Sequence, residues 1–185
     1  MIKTSDLKKA AQQTKTAVTI FPTDTIYGIG TAISNSEGIE KIIQIKNRDP
    51  SKPFPVLISS FDMFENLVEN PKKYNEIIDK YMPGSNTLIF PQKKDLNYFN
   101  TDTIAIRFPD NKEIINFINE IGETIVATSI NNTGEPERNT IEEIEAWAKD
   151  KDIACIYAPD ESIQPTNKPS NIYKINEDLS TLKIR

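Results

Sequence analysis

The chain contains no histidine and only one cysteine, Cys155, among its 185 residues. The absence of histidine excludes Ser-His-Asp and Cys-His catalysis, His-ligated zinc and an imidazole general base. A single cysteine cannot form an internal disulfide, which fits a reducing cytoplasm. Any chemistry must therefore use hydroxyl groups, lysine and arginine, carboxylates, backbone amides, or a metal that arrives with a ligand.

Long apolar runs are absent as well. No stretch approaches the roughly 20 residues that a membrane-spanning helix needs, and residues 1–6 are not followed by the apolar core of a signal peptide. We therefore expect a cytoplasmic protein that makes no membrane contact. The net charge of −5 argues against high-affinity, non-specific binding of nucleic acid over the whole surface, although it is compatible with a local basic pocket.

Short apolar runs alternate with segments of helical periodicity along the whole chain. Strands are predicted at about 17–21, 28–33, 54–58, 87–90, 104–108, 124–128, 153–157, 171–175 and 182–184. Helices are predicted up to about residue 13 after a cap at Thr4 or Ser5, after a Ser34-x-x-Glu37 capping box, and at 62–68, 72–81, 111–121 and 140–148, the last capped by Thr140. The remaining polar stretches, 92–100, 129–139 and 160–168, are predicted loops.

This alternation predicts one α/β or α+β domain over residues 1–185, built around one mixed sheet. The short strands and the 12 prolines disfavour a regular doubly wound sheet.

Residues 22–30 (PTDTIYGIG) follow a predicted buried strand and carry unusual hydrogen-bonding capacity. Hydroxyls and backbone amides at the end of a strand commonly hold small polar ligands in α/β proteins. The motif at 28–30 lacks the third glycine of a dinucleotide fingerprint, so dinucleotide binding is not expected. The two glycines are better explained by backbone geometry than by phosphate binding.

Cationic and amide side chains mark the other places where an apolar element meets a loop. Lys46 and Arg48 end a predicted helix, where they are either ligand-binding groups or ordinary partners of the helix dipole. Arg107 lies in an apolar strand and needs a partner, either a structural carboxylate or a bound carboxylate or phosphate. Ser129 and Asn131 form either an Asx-turn or part of a site. Together these groups predict a pocket for an anionic, hydroxyl-bearing substrate and phosphates.

The order of these features resembles the YrdC-like family, the threonylcarbamoyl-AMP synthases, in its short, single-domain form. The matching segments are residues 22–30, Lys46-Asn47-Arg48, Pro83-Gly84 with Thr87-Leu88, residues 102–107 (DTIAIR), Ser129-Ile130-Asn131 with residues 133–136, residues 169–172 and residues 182–185. The resemblance implies a twisted mixed β-sheet of the YrdC/RibB type, with helices packed around it and a concave, locally basic cleft.

The resemblance also implies a reaction. L-threonine and bicarbonate form a carbamate that attacks ATP, which gives threonylcarbamoyl-AMP and pyrophosphate for the N6-threonylcarbamoyladenosine modification of tRNA. It places Thr23, Tyr27, Arg107 and Ser170 around threonine, with Arg107 on the carboxylate, and Lys46, Arg48, Thr103, Ser129, Asn131 and Arg185 around ATP, with Lys46 and Arg48 as catalytic residues. Mg²⁺ would arrive with the triphosphate. A separate threonylcarbamoyl transferase that acts on tRNA is the implied partner.

Two other functions fit the same resemblance. The chain could be an RNA-binding member of the fold that binds tRNA or double-stranded RNA without synthase activity, which the acidic net charge disfavours. It could also be a stand-alone relative of the YrdC domains that accompany carbamoyltransferases, acting on carbamoyl phosphate. The sequence has no zinc-finger or acylphosphatase segment to accompany that role.

Overall fold

The computed structural model describes residues 1–94, 101–132, 134–159 and 165–185, so Thr133 and most of the predicted loops at 92–100 and 160–168 lie outside the described residues. The strands are β1 (Ile2–Thr4), β2 (Thr19–Pro22), β3 (Tyr27–Ala32), β4 (Val56–Leu57), β5 (Asn86–Pro91), β6 (Thr103–Arg107), β7 (Ile125–Ser129), β8 (Cys155–Tyr157), β9 (Asn171–Ile175) and β10 (Thr181–Lys183). The helices are α1 (Leu7–Thr16), α2 (Ser36–Lys46), α3 (Phe61–Leu67), α4 (Asn75–Tyr81), α5 (Lys112–Ile121) and α6 (Ile141–Ala148), and a 3-10 turn at Pro71–Tyr74 precedes α4.

Among the described residues, the strands form one mixed sheet in the order β1-β8-β2-β3-β7-β4-β6-β5-β9-β10. The pairs β2–β3, β3–β7, β5–β6 and β9–β10 are antiparallel, whereas β2–β8, β4–β6 and β5–β9 are parallel. This confirms the predicted mixed α/β sheet. The sequence did not predict β1, because its three residues gain their ladder only by pairing with β8, more than 150 positions away.

The two faces of the sheet carry different cores. The larger cluster packs α2, α3, α4 and α6 against one face, with residues such as Ile42, Phe64 and Ile144 meeting Ile29 and Ile106. The smaller cluster packs α1 and α5 against the other face. Its members include residues of β2, β3, β7 and β8 but none of β5, β6 or β9. Helices therefore leave the β6-β5-β9 side of this second face uncovered, and a cleft opens there.

Helix caps decide where three of the predicted helices begin. Asn35 rather than Ser34 caps α2, and its side chain accepts from the Gly38 amide. Ser34 instead donates from its amide and hydroxyl to the carboxylate of Glu123. Thr140 caps α6 as predicted, in a capping box with the residue three positions later. At the N-terminus, Asp6 takes the capping position predicted for Thr4 or Ser5, and α1 continues to Thr16.

Gly30 allows the close approach of β3 to its neighbours. A Cβ at this position would lie 2.1 Å from the carbonyl oxygen of Val126 and 2.8 Å from Cζ of Phe21. Gly30→Ala should therefore lower the free energy of unfolding by about 3 kcal/mol, as overpacking of a rigid core does, measured by urea denaturation.

Gly28 supplies the matched control for this substitution. The nearest atom to its added Cβ would be Cε2 of Phe21 at 3.4 Å, which a small movement of the ring relieves, and the carbonyl oxygen of Thr128 at 3.6 Å is an ordinary contact. Gly28→Ala is expected to unfold close to the wild-type midpoint. Equal destabilisation of both variants would show that replacing any glycine of β3 destabilises the fold. The contact of Gly30 with Val126 would then not be the cause.

Within the described residues, no helix has the length and the apolar character required to cross a membrane.

Candidate active site

A cavity of about 360 Å³ occupies the uncovered part of the second face. Its walls come from the turn after β2, the end of α2, the segment before β4, strands β5, β6, β7 and β9, and the C-terminal residues. Eight predicted site residues line it: Thr23, Lys46, Arg48, Arg107, Ser129, Asn131, Ser170 and Arg185. The structure thus brings together side chains that are spread over more than 160 positions of the sequence.

Two predicted residues, Tyr27 and Thr103, do not line this cavity. Tyr27 packs against the larger core cluster, and burial raises the pKa of its phenol. Its neighbours Ile26 and Gly28 reach the cavity instead, because alternate strand residues face opposite sides of the sheet. Thr103 is exposed at the start of β6, on the same face as Arg107 but two residues beyond Ala105, which does line the cavity. The assignment of Tyr27 to threonine and of Thr103 to ATP therefore stays a prediction from the resemblance alone.

Lys46 connects the end of α2 to the loop that follows β7. Only 3% of its surface is exposed. Its Nζ donates to the carbonyl oxygens of Ser129 (2.6 Å) and Asn131 (3.0 Å) and to Oδ1 of Asn131 (2.6 Å). Burial, followed by the nearby charge of Arg48, lowers the pKa of Lys46 to about 8. A role confined to the dipole of α2 does not account for these contacts, because all three acceptors lie outside the helix.

Arg48 fixes the chain that leads into β4. Asn47 adopts the left-handed conformation (φ 47°) that ends α2. The Nε and Nη2 atoms of Arg48 then donate to the carbonyl oxygens of Lys52 (3.1 Å) and Pro53 (3.0 Å), and its guanidinium lies 4.9 Å from the ring centroid of Phe54. Burial lowers the pKa of Arg48. This side chain therefore holds one wall of the cavity as well as lining it.

Thr23 organises the turn between β2 and β3. Its hydroxyl donates to the carbonyl oxygen of Ile26 (2.7 Å) and accepts from the amides of Thr25 (3.2 Å) and Ile26 (3.3 Å). Serine and threonine hydroxyls often stabilise turns in this way. The Thr23 hydroxyl thus shapes the turn, while the Thr25 hydroxyl, 3.0 Å away, reaches Arg107.

Arg107 is paired with a structural carboxylate, which is one of the two kinds of partner that the sequence left open for it. Its Nη2 donates to Oδ1 of Asp24 (2.5 Å), its Nη1 to Oγ1 of Thr25 (2.5 Å) and its Nε to the carbonyl oxygen of Gly84 (3.3 Å). Burial lowers the pKa of Arg107, and the charge of Asp24 opposes this shift. Asp24 and Thr25 belong to the 22–30 segment that indicated a site, but the sequence assigned neither residue a role of its own.

Ser170 and Arg185 close the side of the cavity formed by β9 and the C-terminal residues. The Ser170 hydroxyl lies 2.9 Å from that of Thr87, a cavity residue that belongs to a matching motif but was not predicted as a site residue. Arg185 donates from Nε (3.2 Å) and Nη2 (3.0 Å) to the carbonyl oxygen of Ser170. The charge of Arg185 contributes to the lowered pKa of Arg107, so the two guanidinium groups lie close enough to repel each other.

The loop after β7 is held by its own side chains. Asn131 donates from Nδ2 to the carbonyl oxygen of Glu135 (2.7 Å), and its Oδ1 also accepts from the Ser129 hydroxyl (2.9 Å). Arg138 pairs with the Glu135 carboxylate (3.0 Å). The charge of Glu137 partly offsets the lowered pKa of Lys46, whereas that of Arg138 adds to it.

The charge of the cavity lining has one sign. Among the described residues, four cationic side chains line it, those of Lys46, Arg48, Arg107 and Arg185, and no carboxylate does. Within the same part of the chain, no group of three or more histidine, cysteine, aspartate or glutamate residues could hold a metal ion. The arrangement suits a ligand with several negative charges, because clustered cations with low-dielectric walls attract anions strongly.

Comparison with known proteins identifies the family. The family model Sua5_yciO_yrdC, described as "Telomere recombination", matches residues 12–183. The chain belongs to the Sua5/YciO/YrdC family. This confirms the resemblance inferred from the motifs, and the match covers every strand and helix except β1 and the first turns of α1.

Two relatives in this family are named threonylcarbamoyl-AMP synthase. The one from Bacillus subtilis (strain 168) is 33% identical over 140 residues, which cover 73% of this chain and 40% of that protein. The one from Vibrio campbellii (strain ATCC BAA-1116) is 27% identical over 161 residues, which cover 84% of this chain and 85% of that protein.

A solved structure, P. abyssi Sua5 complexed with L-threonine, has the same fold. It matches with a TM-score of 0.82 at 24% identity, over 97% of this chain and 53% of that chain. The present chain therefore spans less than two thirds of the length of the Bacillus subtilis and P. abyssi proteins.

Proposed function

We propose that this chain is a threonylcarbamoyl-AMP synthase, which forms threonylcarbamoyl-AMP and pyrophosphate from L-threonine, bicarbonate and ATP. The observation that carries the proposal is the cavity itself. Four cationic side chains and several hydroxyls line it, and none of the carboxylates in the described residues does. The names of the Bacillus subtilis and Vibrio campbellii relatives, and the threonine complex of P. abyssi Sua5, support the choice of substrates.

The reaction needs charge neutralisation and positioning more than it needs a strong base. The amine of threonine adds to bicarbonate and water is lost, which gives a carbamate. A carbamate oxygen then forms a bond to the α-phosphorus of ATP, and the bond to the leaving pyrophosphate breaks. Phosphoryl chemistry of this kind relies on fixed cations and aligned donors, so a chain without histidine can perform it. Because a carbamate is unstable in water, enclosure by the cavity walls would protect it.

The cavity offers two groups of side chains for the two substrates. We assign the phosphates of ATP to Lys46, Arg48, Ser129, Asn131 and Arg185, which the family resemblance implies for ATP and which all line the cavity. We assign threonine to Thr23, Arg107 and Ser170, with its carboxylate on the Arg107 guanidinium, because a planar guanidinium binds a carboxylate with two parallel hydrogen bonds.

Magnesium belongs to the nucleotide substrate in this proposal. No carboxylate of the described residues lines the cavity, and no cluster of metal-ligating side chains was found among them. Mg²⁺ usually keeps several waters and binds through substrate phosphates, so it would enter as the ATP complex.

The product would pass to a separate transferase that acts on tRNA, and we place the reaction in the cytoplasm.

Release of pyrophosphate tests the proposal directly. With ATP, Mg²⁺ and bicarbonate, the purified chain should release pyrophosphate only when L-threonine is present, measured by a coupled pyrophosphatase assay. Omitting bicarbonate should abolish the release, since no carbamate can form. Release that is independent of the amino acid would contradict the proposal. Absence of release combined with tight binding of tRNA would favour the RNA-binding alternative instead.

A further inference from the structure

The Arg107 guanidinium is fixed by groups that mostly lie outside the cavity wall. Asp24 and Gly84 accept from Nη2 and Nε, and neither of them lines the cavity. Thr25 accepts from Nη1 and does line it. Any influence of Asp24 on a ligand in the cavity must therefore act through the guanidinium that it holds.

The contacts to Asp24, Thr25 and Gly84 leave two N–H groups of the Arg107 guanidinium for a ligand. A guanidinium has five N–H groups, and the three contacts within the described residues use one on each nitrogen. One N–H of Nη1 and one of Nη2 are left, which is the number that a bidentate carboxylate accepts.

Asp24 is itself held firmly. Its side chain is 13% exposed against 6% for Arg107, so the pair is screened little by solvent. The carbonyl oxygens of Asp24 and Thr25 accept from the amides of Thr166 (3.1 Å) and Asn167 (2.8 Å), which ties the turn to the segment that leads to β9. The carboxylate thus offers Arg107 a rigid anchor.

We propose that Asp24 is a positioning residue for the amino-acid substrate: it orients the Arg107 guanidinium so that its two remaining N–H groups meet the substrate carboxylate. The proposal rests on the proposed function, because it assumes that threonine binds at Arg107. A loose guanidinium would have to lose rotational freedom when the substrate binds, whereas an anchored one has already lost it. A purely structural pair would instead change the KM values for threonine and ATP in parallel.

Asp24→Asn and Asp24→Ala test this role in the full chain. The amide of Asp24→Asn still offers an acceptor to Nη2 but no charge, so we expect the KM for L-threonine to rise roughly tenfold, as loss of a charge-assisted hydrogen bond does. Asp24→Ala removes both the acceptor and the charge, and should raise the KM for L-threonine roughly 100-fold. The KM for ATP should change less than about threefold in either variant, because Lys46 and its loop are untouched.

Two further variants make the result decisive. Asp152→Asn, which removes the charge of an exposed ion pair with Lys41, should leave both KM values unchanged. In an Arg107→Ala background, adding Asp24→Asn should alter the KM for threonine less than about twofold, because the group it positions is gone. If Asp24→Ala fails to fold, the Asp24→Asn variant and this double variant still decide the question.

Several results would overturn the proposal. They are a wild-type KM for threonine in Asp24→Asn, a parallel rise of both KM values, and additive effects in the double variant. If the wild-type chain releases threonine-dependent pyrophosphate and Asp24→Asn is normal, only the positioning role falls. If the wild-type chain releases none, the proposed function falls and the positioning role falls with it.

Discussion

Replacing Arg107 with alanine is expected to raise the KM for L-threonine by roughly 100-fold or more, while the KM for ATP changes less than about threefold. Truncating one member of a buried, hydrogen-bonded charge pair typically costs a complex about 2–5 kcal/mol, and each 1.4 kcal/mol corresponds to about a factor of ten. Arg107 is 5% exposed and lines the cavity, so water cannot easily replace it as a partner of the substrate carboxylate. Steady-state pyrophosphate release at varied threonine measures the effect.

Arg107→Ala needs a control variant that separates lost stability from lost threonine binding. Arg107→Ala leaves the Asp24 carboxylate buried without its cation, and breaking such a pair costs roughly 3–5 kcal/mol of stability. The double variant Arg107→Ala/Asp24→Asn removes the stranded charge and should recover much of the melting temperature but none of the threonine affinity. Arg107→Lys keeps a charge without the planar fork and should fall between the wild type and alanine. A folded double variant with a wild-type KM for threonine would show that the carboxylate binds elsewhere.

Features encoded within one or two helical turns could be predicted from the sequence. Ile42 and Lys46 lie four positions apart, so helical periodicity alone puts them on one side of α2, and both residues are buried in the structure. The cap at Thr140 was predictable for the same reason, because its partner Glu143 lies three residues later. The order of the short motifs along the chain was enough to indicate the family.

Features that depend on pairing across the sheet could not be predicted in this way. Asp24 and Arg107 are 83 positions apart, and Lys46 and Asn131 are 85 apart, so only the fold brings them together. Which side of the sheet Tyr27 faces could not be predicted either, because a shift of one residue along a strand moves a side chain to the other face. Composition and local spacing contain no information about that register.

Substitution of Lys46 is expected to have the second large effect, and it should fall on the nucleotide. Lys46→Met keeps much of the buried volume but removes the charge and the three contacts to the loop after β7. We expect the Kd for ATP to rise roughly 100-fold by titration calorimetry, because a buried cation beside the phosphates is lost. The KM for threonine should change far less. Lys46→Arg should retain part of the affinity, although its planar group cannot reproduce the three contacts to Ser129 and Asn131.

The pKa of Lys46 gives this prediction a second, independent readout. Since that pKa is about 8, the wild-type affinity for ATP should fall roughly tenfold between pH 7 and pH 9, as the ammonium loses its proton before the phosphates arrive. Lys46→Arg should show a nearly flat profile over this range, because a guanidinium keeps its charge.

Unfolding does not cause this decline in the affinity for ATP. An unfolded lysine keeps its proton up to its ordinary pKa of 10.5, so the contribution of this group to the free energy of unfolding increases between about pH 8 and 10.5. A wild-type affinity that stays constant up to pH 9, with Lys46→Met binding ATP normally, would reduce Lys46 to a structural tie between α2 and the loop after β7.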